Sequence, residues 1–318
     1  MSDKKLIAVA GATGAQGGGL VRSILADPSG EFAVRALTRN PSSDAARALA
    51  DLGAEVVQAD ISDESSMRRA FEGAYGAFCV TFFWDHLSPD QEKADVRTMA
   101  GAAKAAGVKH VVWSTLEDTR KRVPLDDDRM PTLMEHFKVP HFDAKGEADA
   151  IWAESGVPTT YLLTAFYWDN LVHFGSHPQR GEDGSLAFVL PMGDAKLPGI
   201  AAEDIGKCAY GIFKLGEAMI GQRVGIAGEH LSGSEMAAAL TTALGEPVAH
   251  YSPSWDEYRS YDFPGADDLG NMFQYKHDFE DEFRAARPVA RSRELNPELQ
   301  SFSEWLVGNA GKMPIDPA

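Results

Sequence analysis

Seven residues near the start of the chain, Gly11-Ala12-Thr13-Gly14-Ala15-Gln16-Gly17, restrict its fold more than any other segment. They follow Lys5-Leu6-Ile7-Ala8-Val9-Ala10, a short apolar run that reads as a buried parallel strand. They precede Leu20, Val21, Ile24 and Leu25, which share one helical face. A glycine loop between a strand and a helix is the opening of a dinucleotide-binding βαβ unit. In such a loop Gly11 turns out of the strand, Gly14 lets backbone amides approach a pyrophosphate, and Gly17 lets the helix pack close to the sheet. The helix N-terminus then faces the phosphates.

The chain beyond supports that opening. Strands are expected at Phe32–Leu37, Glu55–Gln58, Ala77–Phe82, His110–Ser114 and Thr159–Leu163. Helices are expected between them: Ala45–Leu52 stopped by Gly53, one capped by Ser62-Asp63 and running to Phe71, Gln91–Ala106, and Asp143–Glu154. The stretch Thr119–Pro140, with Asp126-Asp127-Asp128 and prolines, reads as a long surface loop. Repeated βα steps demand an α/β fold, a doubly wound parallel sheet with helices on both faces. The alternation fades after Thr164. A strand at Leu186–Leu190, a helix from Ala202 to Phe213 and a strand at Gly225–Ala227 follow. Helices at Ser234–Leu244, Ser254–Tyr261, Asp267–Tyr275 and Glu298–Val307 complete a smaller, mostly helical part. No internal repeat or low-complexity segment is present.

Charge narrows the partners. Of 30 basic and 47 acidic side chains, residues 1–150 hold 18 and 23 and residues 151–318 hold 12 and 24, a balance of -5 and -12. Neither half offers a basic footprint, so direct binding to nucleic acid or to an anionic membrane surface is disfavoured. No apolar run is long enough for a membrane span, and the apolar start is too short for a secretory signal core. Cys79 and Cys208 sit among apolar neighbours and read as buried thiols, which points to a reducing, cytoplasmic setting.

The Gly-x-x-Gly-x-x-Gly spacing resembles that of the short-chain dehydrogenase/reductase superfamily. Where an acidic residue after the second strand would hold a ribose 2′-hydroxyl, this chain has Thr38-Arg39-Asn40. Arg39 suits a 2′-phosphate, so NADP(H) is preferred and NAD(H) is the weaker ligand. Asp60-Ile61 falls where such folds hold the adenine edge, and a plain helix-capping aspartate is the competing reading. The superfamily's hydride chemistry needs a tyrosine four residues before a lysine on one helical face. Lys145 is present, but His141 stands four positions earlier. His141 is a candidate general acid, Lys145 a candidate nicotinamide-ribose ligand, and Ser114-Thr115 fill the place of the catalytic serine. No phosphate loop of the Walker type, no Gly-x-Ser-x-Gly elbow and no His-Glu-x-x-His metal motif occurs.

More closely, the chain resembles the NmrA-like branch of atypical short-chain dehydrogenases. The resemblance rests on Asp3-Lys4-Lys5-Leu6, Gly14-Ala15-Gln16-Gly17-Gly18, Thr38-Arg39-Asn40-Pro41 and Gly53-Ala54-Glu55-Val56-Val57-Gln58. It continues in His141-Phe142-Asp143, Lys145-Gly146-Glu147 and the block Phe263-Pro264-Gly265-Ala266, Asp268-Leu269, Asn271-Met272-Phe273. These segments are similar to a human NADPH-sensing member of the branch. The resemblance implies a Rossmann domain at 1–164, rejoined by segments near 200–228, and a smaller α+β substrate or partner domain at 165–318. It implies NADP(H) between them, touched by Thr13, Gly14, Ala15, Gln16, Gly17, Arg39, Thr81, Phe82, Phe83, Lys145, Phe166 and Tyr167. A redox sensor answering to the NADPH/NADP+ ratio is the first functional expectation. An NADPH-dependent quinone or carbonyl reductase, with His141, Tyr167 or water supplying the proton, is the second. Protein partners and a homodimer stay open. Ser42-Ser43-Asp44 replaces a second basic residue of the human relative, which weakens selection for the 2′-phosphate.

Overall fold

The computed structural model describes residues 4–315; Asp3 of the opening segment lies outside the described residues. Through Leu163 the chain alternates β1 Lys5–Val9, α1 Ala15–Leu25, β2 Phe32–Thr38, α2 Asp44–Asp51, β3 Glu55–Gln58, α3 Glu64–Phe71, β4 Gly76–Cys79, α4 Pro89–Ala106, β5 His110–Thr115, α5 Pro140–Ser155 and β6 Thr159–Leu163. There follow β7 Phe166–Tyr167, α6 Asn170–His173, β8 Gln179–Arg180, β9 Leu186–Val189, β10 Leu197–Ile200, α7 Ala202–Leu215, β11 Arg223–Gly225, β12 Glu229–Leu231, α8 Gly233–Leu244 and β13 Val248–Tyr251. The chain closes with α9 Trp255–Arg259, α10 Ala266–Asp278, α11 Glu280–Ala285, α12 Val289–Leu295 and α13 Phe302–Asn309.

The main sheet has seven strands in the order β11-β6-β5-β4-β1-β2-β3, every pair parallel. This is the Rossmann arrangement, and its strand order reverses between β1 and β4, where such sheets bind ligands. In β1, Ile7 and Val9 enter the core under α1 and α7, while Ala8 and Ala10 enter the opposite core under α3, α4 and α5. Both faces of the strand are therefore dry, which is why its sequence is continuously apolar rather than alternating.

The α1–α7 crossing depends on two glycines. A Cβ on Gly19 would stand 2.6 Å from the Glu203 carbonyl oxygen, and one on Gly206 would stand 2.1 Å from the Leu20 nitrogen. Both obstacles are backbone, so neither can swing aside. Gly206→Ala is expected to cost about 1–3 kcal/mol through forced separation of the two helices. A urea melt with the wild-type midpoint would refute this.

Beyond β6 lies a smaller, mostly helical part that also holds strands not expected from the sequence. Two three-stranded sheets, β12-β10-β7 and β13-β9-β8, lie among its helices. Its core gathers Trp168, Phe188, Met192, Phe302 and Trp305. The strand expected at Gly225–Ala227 lies at Arg223–Gly225, and the last long helix starts at Phe302 rather than Glu298.

The Thr119–Pro140 stretch is also not a free surface loop. Val123, Met130, Lys138 and Val139 are buried. Lys138 Nζ donates to the carbonyls of Asp127 and Met130, both at 2.7 Å. Asp143 accepts from the backbone of Thr119, Lys138 and Val139, and Asn271 of α10 donates to the carbonyls of Pro131 and Lys138. Lys138 from within the stretch and Asp143 and Asn271 from outside it satisfy its backbone, so composition alone misreads it.

Candidate functional site

The glycine loop leaves β1 through Gly11, at φ +64°, a left-handed turn that disfavours any side chain. Gly14 is the N-cap of α1 and no side chain caps the helix. Thr13, Gly14 and Ala15 are exposed. The start of α1 is therefore open at the switch point, where an anion could meet amides that no side chain caps. A Cβ on Gly17 would come within 2.4 Å of the Gly11 carbonyl oxygen, so Gly17 permits the loop to close against the first turn of α1. Gln16 is buried and its amide donates to the Tyr167 hydroxyl at 2.6 Å. The loop is thereby tied to β7, and burial raises the Tyr167 phenol above its ordinary range.

At the next strand ends, Arg39 follows β2 and forms an ion pair with Asp85 at 3.1 Å. Asp85 ends a single 3₁₀ turn, Phe83–Asp85, beyond β4. Because β1 lies between β2 and β4, this exposed pair bridges over the end of β1. Asp60 and Ile61 lie after β3; Asp60 accepts from the Ser62 amide at 3.0 Å in a local turn. The helix cap is Asp63, which accepts from the amides of Ser65 and Ser66.

On the other side of the switch point, Thr81 and Lys145 meet. Lys145 Nζ donates to Thr81 Oγ1 and to Glu92 Oε1, each at 2.5 Å. The Thr81 hydroxyl in turn donates to Glu92. Burial opposes ionisation of Glu92, but Lys145, His86 and Thr81 outweigh it and hold the carboxyl down at about 2. Phe83 is buried, whereas Phe82 is exposed with its ring 6.2 Å from that of Phe174. Ser114 and Thr115 are buried, and Thr115 Oγ1 donates to Asp149 at 2.6 Å, so that hydroxyl is already engaged.

His141 is held from the second half of the chain. Its Nδ1 lies 2.7 Å from Asp268 Oδ1, and its backbone amide donates to Asp268 Oδ2. Trp84, Phe83 and Phe142 surround the ring. Phe166 packs into the core of the later part, among Trp168 and Leu197.

The structure thus brings together Gln16 with Tyr167 and Thr81 with Lys145, while Arg39, Asp60 and Ile61 lie on the β2–β3 side. Sequence reading missed Glu92, Asp85 and Asp268. Asp268 alone had a signal, as a member of the quoted Phe263–Phe273 block. An uncapped helix end, a loop closed by glycines and a cation on each side of the switch point fit a dinucleotide diphosphate. In that fit the loop amides would hold the pyrophosphate, Arg39 a 2′-phosphate and Lys145 the second ribose.

Comparison with known proteins gives the family and the fold. The model of the NmrA-like family matches residues 3–306. An NmrA-like family domain-containing oxidoreductase, FrzB of a Cladobotryum species, is 32% identical over 292 residues, 85% of this chain and 83% of its own length. Among solved structures, NmrA, described as a negative transcriptional regulator, superimposes with a TM-score of 0.79 over 97% of this chain and 96% of its own, at 24% identity. The NADP(H) complex of Citrobacter sp. triphenylmethane reductase superimposes with a TM-score of 0.73 over 96% and 99%, at 20% identity.

Proposed function

The chain belongs to the NmrA-like family, and on that premise we propose that it binds NADP(H) across the sheet's switch point and acts as a redox sensor. Residues 1–164, with 200–228, form the dinucleotide part; residues 165–318 cover the cleft and meet a protein partner. The observation that carries the reading is the start of α1, with no side-chain cap and Thr13, Gly14 and Ala15 exposed, together with a Lys145 that has no phenol four residues before it. The likeness of the quoted segments to a human NADPH sensor supports it. So does the structural neighbour NmrA, a transcriptional regulator known in complex with NADP and with NAD. The buried thiols of Cys79 and Cys208 suit a cytoplasmic location.

Arg39 selects the phosphorylated dinucleotide. Its pair with Asp85 is exposed on both sides, and such pairs contribute little, so a dianionic phosphate displaces the carboxylate. Calorimetry is expected to show NADPH binding at micromolar concentration or tighter. Arg39→Ala should weaken NADPH about tenfold and leave NADH nearly unchanged. NADH binding as tight as NADPH in the wild type would remove this role from Arg39. Sensing requires that NADPH and NADP+ favour different states of the protein. Hydrogen exchange over residues 165–318 should therefore differ between the two complexes, and identical patterns would overturn the sensor.

A second reading is favoured by one contact, the His141–Asp268 pair at the tyrosine position. A bound NADPH supplies hydride; an imidazole oriented by a carboxylate could hold the accompanying proton at Nε2. Several relatives are named oxidoreductases. Steady NADPH oxidation with quinones or carbonyls, lost in Lys145→Ala, would establish this reading, and an undiminished rate in His141→Phe would remove His141 from it.

A further inference from the structure

Lys145 does not present a free cation to the cleft. Its ammonium is matched by Glu92 at 2.5 Å, and among the described residues no other carboxylate lies within ion-pair distance of it. Glu92 is wholly enclosed, in the first turn of α4, with His86 Nε2 3.4 Å from its second oxygen. Thr81, at the end of β4, closes the triangle by accepting from Lys145 and donating to Glu92. The indole of Trp113, on β5, lies under the ammonium, 5.3 Å from Nζ to the ring centre. The group is thus built at the ends of β4 and β5, the half of a doubly wound sheet that receives the second mononucleotide. In NADP(H) that second mononucleotide carries the nicotinamide.

The two redox forms differ there by one full charge. The oxidised ring is cationic and the reduced ring is neutral. An uncompensated ammonium a few ångströms away would disfavour the oxidised form by about one to two decades in affinity in a partly buried site. We propose that Glu92 sets the redox preference of the site as a positioning residue acting through Lys145: it cancels the ammonium charge, so NADP+ and NADPH compete for one site. This inference rests on the sensor reading, and gives it a physical requirement, since a protein answering to a ratio must be able to bind both members of it. Glu92 also orients Lys145, but orientation alone would serve both redox forms equally.

The affinity ratio separates charge from structure. Dissociation constants for NADPH and NADP+ are to be measured by calorimetry at pH 6 in the wild type, Glu92→Gln, Lys145→Gln and the double variant. Glu92→Gln is expected to raise Kd(NADP+)/Kd(NADPH) about tenfold or more. Lys145→Gln, which leaves the carboxylate alone, should shift the ratio the other way. The double variant, an uncharged amide pair, should return it to within about threefold of the wild type. A structural role weakens both forms together and leaves the ratio in place, so an unmoved ratio in both single variants overturns the inference. If Glu92→Gln does not fold, an unmoved ratio in Lys145→Gln does the same. A wild type that binds neither form overturns the dinucleotide reading itself; a wild type that binds both, with the ratio unmoved in the variants, overturns only the role of Glu92.

Discussion

Arg287→Met is expected to destabilise the fold by about 3–5 kcal/mol, read from urea or thermal melts. Arg287 has 0% of its surface exposed, yet each of its three nitrogens donates a hydrogen bond. Its Nη1 and Nη2 grip the two oxygens of Glu117 at 2.5 and 2.8 Å, and Nε donates to the Thr164 carbonyl at 2.7 Å. The guanidinium lies 3.7 Å over the Phe283 ring. Glu117 follows β5 and Thr164 follows β6, so one side chain from the end of the sequence ties two neighbouring strand ends to the later part. Burial alone would raise the Glu117 carboxyl, but Arg287 more than offsets it and holds the group below the usual carboxylate range. Removing the arginine leaves that largely buried carboxylate without its ion-pair partner, which is where the cost arises. Arg287→Met with Glu117→Leu should recover most of the loss, because a buried pair replaced by apolar groups is close to neutral. The pH sign follows from the lowered folded pKa: the contribution of Glu117 is full above its unfolded value near 4.5 and is lost as pH falls through the folded value. The wild type should therefore lose ground to the double variant in acid. A single-variant loss under about 1 kcal/mol would show that the pair contributes no more than a surface bridge.

The parts of this molecule legible in its sequence are those whose signal is local. β1 is legible because both its faces are buried, and Gly11–Gly17 because turn, close approach and helix start fall within seven residues. The parts that escaped are set by distant partners. Lys145 and Glu92 are 53 residues apart, Arg39 and Asp85 are 46 apart, and His141 and Asp268 are 127 apart. No spacing rule links such pairs. The same cause hid the ordered Thr119–Pro140 segment, whose polarity suggested solvent while its acceptors served Lys138 and Asn271. The two-residue strands β7 and β8 are too short to show any period.

Lys276 is a cation that the fold buries without an ion-pair partner among the described residues. In the last turn of α10 it has the appearance of a lysine facing the helix dipole. It is instead 4% exposed, with Nζ between the rings of Phe142, Phe273 and Phe283 at 5.4, 5.7 and 5.5 Å and 3.2 Å from Met272 Sδ. The ring faces offer a cation–π contact, but no carboxylate pairs with the ammonium among the described residues, since Glu117 is held by Arg287. Burial, aided by the charge of Arg287 and only partly countered by Glu117, pushes the amine down to about 7. An amine with a folded pKa below its unfolded value of 10.5 makes the unfolded state the better proton binder between those limits. Its contribution to stability must therefore rise with pH from about 7 to 10.5, while below 7 the full cost of enclosing the cation remains. Lys276→Met places an apolar side chain of similar length among the three rings and Met272. At pH 6 the variant should be the more stable protein, by roughly 3 kcal/mol after the cation–π contact is lost. The difference should shrink steadily on titration toward pH 10. Urea melts of both proteins at pH 6, 7.5 and 9 measure it directly, and only the difference matters, because the other titrating groups are shared. A difference that stays constant with pH would mean that Lys276 keeps its proton in the fold, and a variant weaker at pH 6 would mean that the aromatic cage stabilises the cation more than burial opposes it.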